Sequence, residues 1–380
     1  MDRIDIKYLV RPELLTMKDY TPIEPTDVLS QKTQLPGEKI IKLDGNENPY
    51  GCSPLVYQAL VAYPYYHNYP DPEQRELREA LERYTGIGRD HIVCGMGSDE
   101  LIDLVLRLFL NPGDEVINCP PTFGMYAFST NICGGQVINV PRKEDFSLDL
   151  AGIIKALSPK TKVIFIASPN NPTGNVTREE EIVELVSTDK VVVVDEAYFE
   201  FSNVTVAHLV PRYPNLMVLR TFSKWAGLAG FRIGYGIFPL DVARYLMRIK
   251  LPYNVNAAAR LAALASLADL EYLRNNITKI INERERLFHR LQGMKQLTPY
   301  PSQANFILCS VTCASNSSCT NDVPVVNARR IWRLLRNRGI FVRYFDVPEL
   351  QQYLRISVGK PEENQALAEA LESIIKSGGS

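Results

Sequence analysis

The stretch Val191-Val192-Val193-Val194-Asp195 decides the fold, because four consecutive β-branched residues end in a carboxylate. β-Branched side chains favour strands, and a strand that is apolar at every position is typical of one covered on both faces. Strands of that kind occur in parallel sheets with helices on either side. The stretch therefore predicts a central strand of an α/β sheet.

Similar apolar runs alternate with helical patterns from about residue 90 to residue 240. The seven runs, in chain order, are His91–Gly95, Glu115–Cys119, Gln136–Val140, Lys162–Ala167, Lys190–Asp195, Leu216–Thr221 and Arg232–Gly236. Helical patterns include Asp99–Leu110, with Ser98 as a candidate N-cap, and Thr177–Ser187. This alternation predicts a large domain with a mostly parallel seven-stranded sheet flanked by helices.

The pattern changes after Pro239 and predicts a second, smaller α+β domain. Long helical patterns come first, with a break expected near Asp269, and short strand-like runs and a final helix follow. These segments are Leu240–Lys250, Ala257–Leu291, Asn305–Cys309, Ile340–Tyr344, Tyr353–Val358 and Glu362–Lys376. We expect residues 46–260 to form the large domain, and 1–45 with 261–380 to form the small one. The first 45 residues hold no obvious strong element, and polar residues 311–327 are predicted to be a loop.

Composition excludes several classes of protein. The 380 residues carry 42 Lys+Arg and 43 Asp+Glu, with 46% hydrophobic residues, which indicates a globular chain. Near-zero net charge without a basic cluster argues against nucleic acid or anionic membranes as partners, and no apolar run is long enough to span a bilayer. The seven cysteines and four histidines lack disulfide or metal-ligand spacing, and no signal peptide is evident. We expect a reduced, cytoplasmic protein without a metal.

The segment Arg220-Thr221-Phe222-Ser223-Lys224 carries the first chemical signal. A lysine follows a predicted strand, small residues come next, and Arg232 stands eight positions on. Small residues let the backbone approach a ligand closely, so Lys224 can act as a Schiff-base nucleophile while Thr221, Ser223 and Arg232 hold a phosphate. The alternative is a surface lysine in a glycine-containing loop.

Asp195 is the second signal, because it stands at the carboxyl end of a buried strand, where open α/β sheets bind ligands. A desolvated carboxylate is costly unless it is paired, and no Lys or Arg follows within ten residues. A ligand cation such as a protonated pyridine nitrogen is therefore a candidate partner. The alternative is an aspartate that caps the next helix.

Two turns complete the pattern. Ser168-Pro169-Asn170-Asn171-Pro172-Thr173-Gly174 follows a strand and can point Asn171 into a cleft. Gly95-Met96-Gly97-Ser98-Asp99-Glu100 offers backbone N–H groups to a phosphate, although Glu100 stands where a dinucleotide-binding pattern needs its third glycine. An ordinary solvent-facing turn and a plain strand-to-helix turn are the respective alternatives.

Together these segments resemble the pyridoxal-phosphate aminotransferases of the aspartate-aminotransferase fold, over nearly the whole chain. Within that family the histidinol-phosphate branch is most similar, on its N-terminal signature and on three further matches. These are Asp44-Gly45-Asn46-Glu47-Asn48-Pro49-Tyr50-Gly51, Tyr69-Pro70-Asp71, Arg220–Lys224 with Gly227–Gly234, and Pro252-Tyr253-Asn254-Val255-Asn256. The sequence departs from the family in Phe123, where tyrosine is frequent, and in a longer stretch at 311–327.

The resemblance implies a role for each matched residue. Lys224 would carry the pyridoxal 5'-phosphate covalently. Asp195 would bind the pyridine nitrogen, Asn171 and Tyr198 the ring 3-oxygen, and Phe123 would stack on the ring. The phosphate would be held by the backbone of Ser98 and Asp99, the side chains of Thr221, Ser223 and Arg232, and Tyr69 from the second subunit of a homodimer with shared active sites. Tyr20, Arg343 and Arg355 match substrate-contacting positions.

The resemblance also implies an activity: transfer of the amino group of histidinol phosphate to 2-oxoglutarate in histidine biosynthesis, by ping-pong kinetics. An aromatic-amino-acid aminotransferase and a phosphothreonine decarboxylase on the same scaffold are the alternatives. A nucleotide-dependent dehydrogenase also fits a parallel sheet, but Glu100 and the Lys224 segment oppose it. A non-catalytic cofactor-binding or regulatory protein is opposed by the full set of expected cofactor contacts and the lack of a helix-turn-helix extension.

Overall fold

The computed structural model describes residues 4–17, 22–312 and 327–377. The predicted substrate residue Tyr20 and most of the predicted loop at 311–327 lie outside these ranges. Strands in the described part are β1 (Ile41–Leu43), β2 (Ile92–Gly95), β3 (Glu115–Asn118), β4 (Gln136–Asn139), β5 (Thr161–Ala167), β6 (Val191–Asp195), β7 (Leu216–Thr221), β8 (Gly234–Ile237), β9 (Leu297–Pro299), β10 (Phe306–Val311), β11 (Ile340–Tyr344) and β12 (Tyr353–Ser357).

Helices cover both faces of the larger sheet and connect most of its strands. In the described residues they are α1 (Pro12–Leu15), α2 (Thr26–Thr33), α3 (Pro54–Ala62), α4 (Arg75–Thr85), α5 (Gly97–Phe109), α6 (Met125–Ile132), α7 (Leu150–Ala156), α8 (Glu179–Val186), α9 (Phe199–Ser202), α10 (Leu240–Ile249), α11 (Ala257–Ala268), α12 (Leu270–Gln292), α13 (Ala328–Arg336) and α14 (Pro361–Ser377).

The predicted seven-stranded, mostly parallel sheet is confirmed, with the order β2-β8-β7-β6-β5-β3-β4. Strand β8 runs antiparallel to both of its neighbours, whereas the pairs from β7 to β4 are parallel. Strand β6 explains why its sequence is apolar throughout. Val192 and Val194 pack in the core on one face of the sheet, while Val193 packs in the core on the other. Both faces are covered, so alternation with polar residues is absent.

A second sheet, ordered β1-β11-β12-β10-β9, forms the centre of the smaller α+β unit. Its own core includes Leu43, Ile307, Val342 and Leu371, from three strands and α14. The N-terminal segment reaches this unit, because β1 pairs in parallel with β11, Ile41 opposite Ile340. The sequence pattern did not reveal β1, since three residues at a sheet edge show no periodicity.

Two local predictions were wrong. Ser98 does not cap α5: the helix begins at Gly97, which has a φ of +75° and turns the chain into the helix before Ser98. The last strand of the large sheet begins at Gly234 rather than Arg232, because Arg232 has a φ of +53°, which is left-handed rather than extended. The predicted break at Asp269 is confirmed, since α11 ends at Ala268 and α12 begins at Leu270.

Candidate active site

A cavity of about 580 Å³ opens where the parallel strands end, between the two sheets. Loops after β2, β3, β5, β6 and β7 supply its floor, as expected for the carboxyl edge of a parallel sheet. Twelve of the fourteen predicted site residues line it: Ser98, Asp99, Phe123, Asn171, Asp195, Tyr198, Thr221, Ser223, Lys224, Arg232, Arg343 and Arg355. Chain segments far apart in sequence therefore converge on one site.

Tyr69 does not line the cavity of its own chain. Its side chain is 82% exposed, and its ring stacks on that of Tyr253 with centroids 4.5 Å apart. Tyr20 lies outside the described residues, and its predicted role in substrate binding stays a prediction.

Lys224 projects from the loop after β7, and its Nζ donates a hydrogen bond to the Gly45 carbonyl at 3.1 Å. Burial disfavours the charged ammonium, and the nearby Arg355 repels it, so the pKa of Lys224 falls to about 8. An amine with that pKa is partly neutral near physiological pH. Only the neutral amine has the lone pair that attacks a carbonyl, so Lys224 is suited to nucleophilic chemistry.

Asp195 ends β6 and is 4% exposed. Its Oδ2 accepts a hydrogen bond from the Tyr126 hydroxyl at 2.6 Å, and its Oδ1 accepts one from the Ala197 amide at 3.0 Å. Burial raises its pKa to about 6, although both hydrogen bonds oppose the rise. No lysine, arginine or histidine of the described residues forms an ion pair with it. A buried carboxylate of this kind suits a cationic ligand group.

Asn171 and Tyr198 present hydrogen-bond donors to the cavity. Arg355 Nη1 donates to Asn171 Oδ1 at 2.6 Å, so the amide nitrogen of Asn171 is the donor that remains for a ligand. Asn46 Nδ2 donates to the Tyr198 hydroxyl oxygen at 2.9 Å, which directs the proton of Tyr198 away from Asn46. Two donors on neighbouring loops suit a negatively charged oxygen, such as that of a deprotonated phenol.

The end of the cavity formed by the start of α5 and by the turn after β7 suits a phosphate. The first turn of α5 brings backbone N–H groups to this end, including that of Ser98. Arg232 lies beside it, and its Nη2 pairs with Asp99 Oδ2 at 2.7 Å. The start of α5 packs closely against its neighbours. A Cβ added to Gly97 would lie 2.5 Å from Arg232 Nη2, and one added to Gly234, on β8, would lie 2.6 Å from the Ser98 nitrogen.

Two hydroxyl groups, of Thr221 and Ser223, also line this end of the cavity. Thr221 donates to Ser223 Oγ at 2.9 Å, and the Ser223 amide donates to Thr221 Oγ1 at 3.1 Å. The bond between them fixes the turn that leads to Lys224. A main-chain cradle, two hydroxyls and one guanidinium are therefore gathered within one corner of the cavity.

The small sheet contributes two arginines to the wall of the cavity. Arg343 on β11 is the cross-strand partner of Arg355 on β12, so both side chains lie on the same face of the sheet. Their guanidinium carbons lie 5.6 Å and 5.8 Å from the centre of the Phe345 ring. Arg355 is held further by a hydrogen bond from Nη2 to the Asp44 carbonyl at 2.5 Å. The two cations thus converge on one volume.

Sequence reasoning missed several residues of the cavity. Ile23, Phe345, Val347 and Leu350 form an apolar wall near the two arginines. Asn46 was quoted in a motif without a role, and Tyr126 was not singled out at all. The available signal was the place of Tyr126 three residues after Phe123, at the start of a helix that follows a strand end.

Among residues 4–17, 22–312 and 327–377, no group of three or more His, Cys, Asp or Glu side chains is arranged to hold a metal ion. Within the same part of the chain, every helix is too short or too polar to cross a membrane.

Comparison with known proteins agrees with this geometry. A histidinol-phosphate aminotransferase of Dehalococcoides mccartyi is 47% identical over 367 residues, which are 97% of this chain and 98% of that protein. A chloroplastic histidinol-phosphate aminotransferase of Nicotiana tabacum is 45% identical over 96% of this chain and 86% of its own length.

A crystal structure shows the same fold. The histidinol-phosphate aminotransferase of Sinorhizobium meliloti, solved in complex with pyridoxal-5'-phosphate, superposes with a TM-score of 0.85 at 29% identity, over 97% of this chain and 98% of that one. Residues 38–371 match the family described as aminotransferase class I and II, which is most of the chain. The protein belongs to the class I and II aminotransferase family.

Proposed function

We propose that this protein is a histidinol-phosphate aminotransferase, which moves the amino group of histidinol phosphate to 2-oxoglutarate and yields imidazole-acetol phosphate and glutamate in histidine biosynthesis. The observation that carries the proposal is the arrangement of one cavity. Lys224, an amine with a lowered pKa, lines it together with the arginine pair Arg343 and Arg355. The names of relatives that are 47% and 45% identical support this choice of substrate.

The cavity fits pyridoxal 5'-phosphate as the cofactor. The buried Asp195 suits a protonated pyridine nitrogen, and the turn at Gly97, which packs closely against Gly234 of β8, suits a phosphate group. We assign the ring to Asp195, Asn171, Tyr198 and Phe123, the phosphate to Ser98, Asp99, Thr221, Ser223 and Arg232, and the covalent attachment to Lys224. When bound, the cofactor supplies an electron sink that the protein's own side chains lack.

Lys224 has a second task once the substrate amine has displaced it from the cofactor. Its Nζ would then accept the proton from the carbon bearing the amino group and deliver it to the cofactor carbon to which Lys224 had been attached. A pKa of about 8 suits this exchange, because the amine can hold or release a proton near neutral pH. Since one site serves the donor and then the acceptor, ping-pong kinetics are expected.

Arg343 and Arg355 are proposed to bind the anionic end of each substrate. A guanidinium can make two parallel hydrogen bonds to a phosphate or a carboxylate, which fixes the orientation of the substrate. Histidinol phosphate brings a phosphate to this wall, and 2-oxoglutarate brings a carboxylate. The apolar residues Phe345 and Leu350 beside the arginines suit the carbon skeleton and ring.

Steady-state kinetics with four amine donors test this proposal. We expect kcat/KM for histidinol phosphate to exceed that for histidinol by at least about 10², because histidinol lacks the group that would make paired hydrogen bonds to the guanidinium groups. Phenylalanine and tyrosine serve as the comparison donors, and carbon dioxide release is measured alongside. A preference for phenylalanine would replace the proposal with an aromatic aminotransferase, and carbon dioxide release from phosphothreonine would replace it with a decarboxylase.

We infer that the active unit is a homodimer with shared sites. Tyr69 matches a family position that contacts the cofactor of the neighbouring subunit, and it is exposed and does not line the cavity of its own chain. Apolar side chains are exposed in the same part of the sequence, including Val61 and Tyr57, and again at Leu251. Exposed apolar groups of this size suit a subunit contact.

We further propose that the chain divides into a large domain, 46–260, and a small one, 1–45 with 261–380. Separate sheets support this division, because β2 to β8 form one sheet and β1 with β9 to β12 form the other. A cytoplasmic location is proposed as well, on the near-neutral charge and on free cysteines at Cys94, Cys119 and Cys309, which are buried as thiols.

A further inference from the structure

Tyr126 on α6 is held in place on several sides. It is fully buried, and its ring stacks on that of Phe165 with centroids 4.7 Å apart and planes 4° apart. The ring of Phe123 meets it edge-on at 5.6 Å. Because the ring cannot shift, its hydroxyl is fixed at 2.6 Å from Asp195 Oδ2, the carboxylate proposed to face the cofactor.

The charges around Asp195 show why this contact matters. Asp99 on α5 and Glu196, the next residue in the chain, both disfavour a second negative charge, and burial disfavours it more strongly. Two donors oppose these effects, the Tyr126 hydroxyl and the Ala197 amide. The Tyr126 bond is the larger of the two opposing effects.

Tyr126 is suited to remain a proton donor. Burial and the adjacent Asp195 raise its pKa well above the ordinary value, with a smaller contribution from Tyr198, so the phenol stays protonated. Arg142, which is buried nearby, acts in the opposite direction and makes the phenol a stronger donor. The Asp195 carboxylate therefore accepts its hydrogen bond from a neutral phenol.

We propose that Tyr126 is a positioning residue that keeps the Asp195 carboxylate ionised and aimed at the pyridine nitrogen of the cofactor. The inference rests on the proposed role of Asp195, and it holds for any amine donor. A phenylalanine would keep both ring contacts, so ring packing alone does not explain the hydroxyl. A buried hydroxyl costs free energy unless it is hydrogen-bonded, and Asp195 is the partner it has.

Two substitutions of Tyr126 with opposite effects test the proposal. Tyr126→Phe removes the donor, and 3-fluorotyrosine placed at this position makes the donor stronger while it keeps the aromatic ring and its hydroxyl. The midpoint of Asp195 ionisation is measured in the cofactor-free protein by ¹³C NMR, with the Asp195 signal assigned through Asp195→Asn. We expect the midpoint to rise by about one pH unit or more in Tyr126→Phe and to fall with fluorotyrosine.

The loaded protein gives a second readout. With ¹⁵N-labelled pyridoxal phosphate, the ring-nitrogen signal should move toward the unprotonated position in Tyr126→Phe. Turnover should fall about tenfold while KM changes less than about twofold, because the cost arises after substrate binding. These readouts are separate from donor preference: an error in the proposed substrate would change the relative rates of the donors and leave the Asp195 midpoint as predicted.

Tyr84→Phe is the matched control. Tyr84 also donates to a carboxylate, Glu200 Oε1 at 3.2 Å, and its ring also stacks, on Trp225 with centroids 5.5 Å apart. We expect this variant to leave the Asp195 midpoint and the ¹⁵N signal unchanged. An unchanged midpoint in Tyr126→Phe, or an equal change in the control, overturns the inference. If Tyr126→Phe does not fold, the fluorotyrosine protein provides the test. A midpoint of Asp195 ionisation that is unchanged or raised in that protein overturns the inference.

Discussion

Replacing Asp195 with asparagine should make the cofactor-free protein more stable at pH 8 while it abolishes most of the activity. The native pKa of Asp195 is raised from 3.8 to about 6 because the carboxyl is buried, which means that folding favours its neutral form. Stability from this group is complete below pH 3.8 and is lost as the pH rises through about 6. At about 1.4 kcal/mol per pH unit, the loss is about 3 kcal/mol by pH 8.

Asparagine is neutral at every pH, so the variant avoids this loss. It has its own cost, because Tyr126 and Ala197 both donate to the carboxylate and an amide offers only one acceptor oxygen. That mismatch costs about 1–3 kcal/mol, but it does not depend on pH. The stability difference between variant and wild type should therefore shift in favour of the variant by about 2 kcal/mol between pH 4.5 and pH 8.

Urea unfolding of both cofactor-free proteins, at one protein concentration and at the two pH values, measures this difference. Asp241→Asn is the control, because Asp241 is exposed and its pair with Arg244 is a surface pair that contributes at most about 1 kcal/mol. Turnover of the loaded Asp195→Asn protein should fall by about 10² or more, equivalent to about 3 kcal/mol of lost charge stabilisation. A stability difference that does not change with pH, or near wild-type turnover, would refute the reasoning.

Further outcomes follow from the same geometry. Lys224→Ala should lose the borohydride-trapped cofactor adduct and nearly all turnover, and mapping of the adduct to another lysine would contradict the assignment. In the cofactor-free wild type, the rate of amine modification at Lys224 should rise through a midpoint near pH 8, below that of exposed lysines, since burial favours the neutral amine; peptide mapping of the labelled site checks this. Arg355→Ala or Arg343→Ala should erase most of the preference for histidinol phosphate over histidinol, measured as the ratio of kcat/KM for the two donors. An unchanged ratio would contradict the role of the arginine that was replaced. Mixing Lys224→Ala with Tyr69→Phe should restore some activity in heterodimers, whereas fully active monomers in sedimentation would exclude shared sites.

Much of the fold could be predicted because the decisive signals are local. Seven apolar runs, separated by helical patterns, are enough to predict the large sheet, since a strand buried on both faces is apolar at most of its positions. The break at Asp269 followed from pattern alone. Short edge strands such as β1 were missed, because three residues at a sheet edge are defined by their partner, here Ile340 opposite Ile41, and not by their own periodicity.

The candidate site was predictable to the extent that it lies at strand ends. Asp195 and Thr221 end their strands, and Asn171 lies in the turn after β5, so their meeting at one edge of the sheet follows from parallel topology. Conformations of single residues were not predictable in this way. The left-handed φ of Arg232 and the early start of α5 at Gly97 depend on how close two loops approach, which a local pattern does not contain.

The sequence by itself determined the class of fold, the order of its elements and the residue types that carry the chemistry, because these depend on hydrophobic periodicity and on motifs of adjacent residues. Only the tertiary structure decided which groups control those residues. The hydroxyl of Tyr126 meets Asp195 across 69 positions, and Asn46 bonds Ser357 across 311. Hydrogen bonds and desolvation act over a few ångströms in space, so they set the pKa values of Asp195 and Lys224 only once the chain has folded.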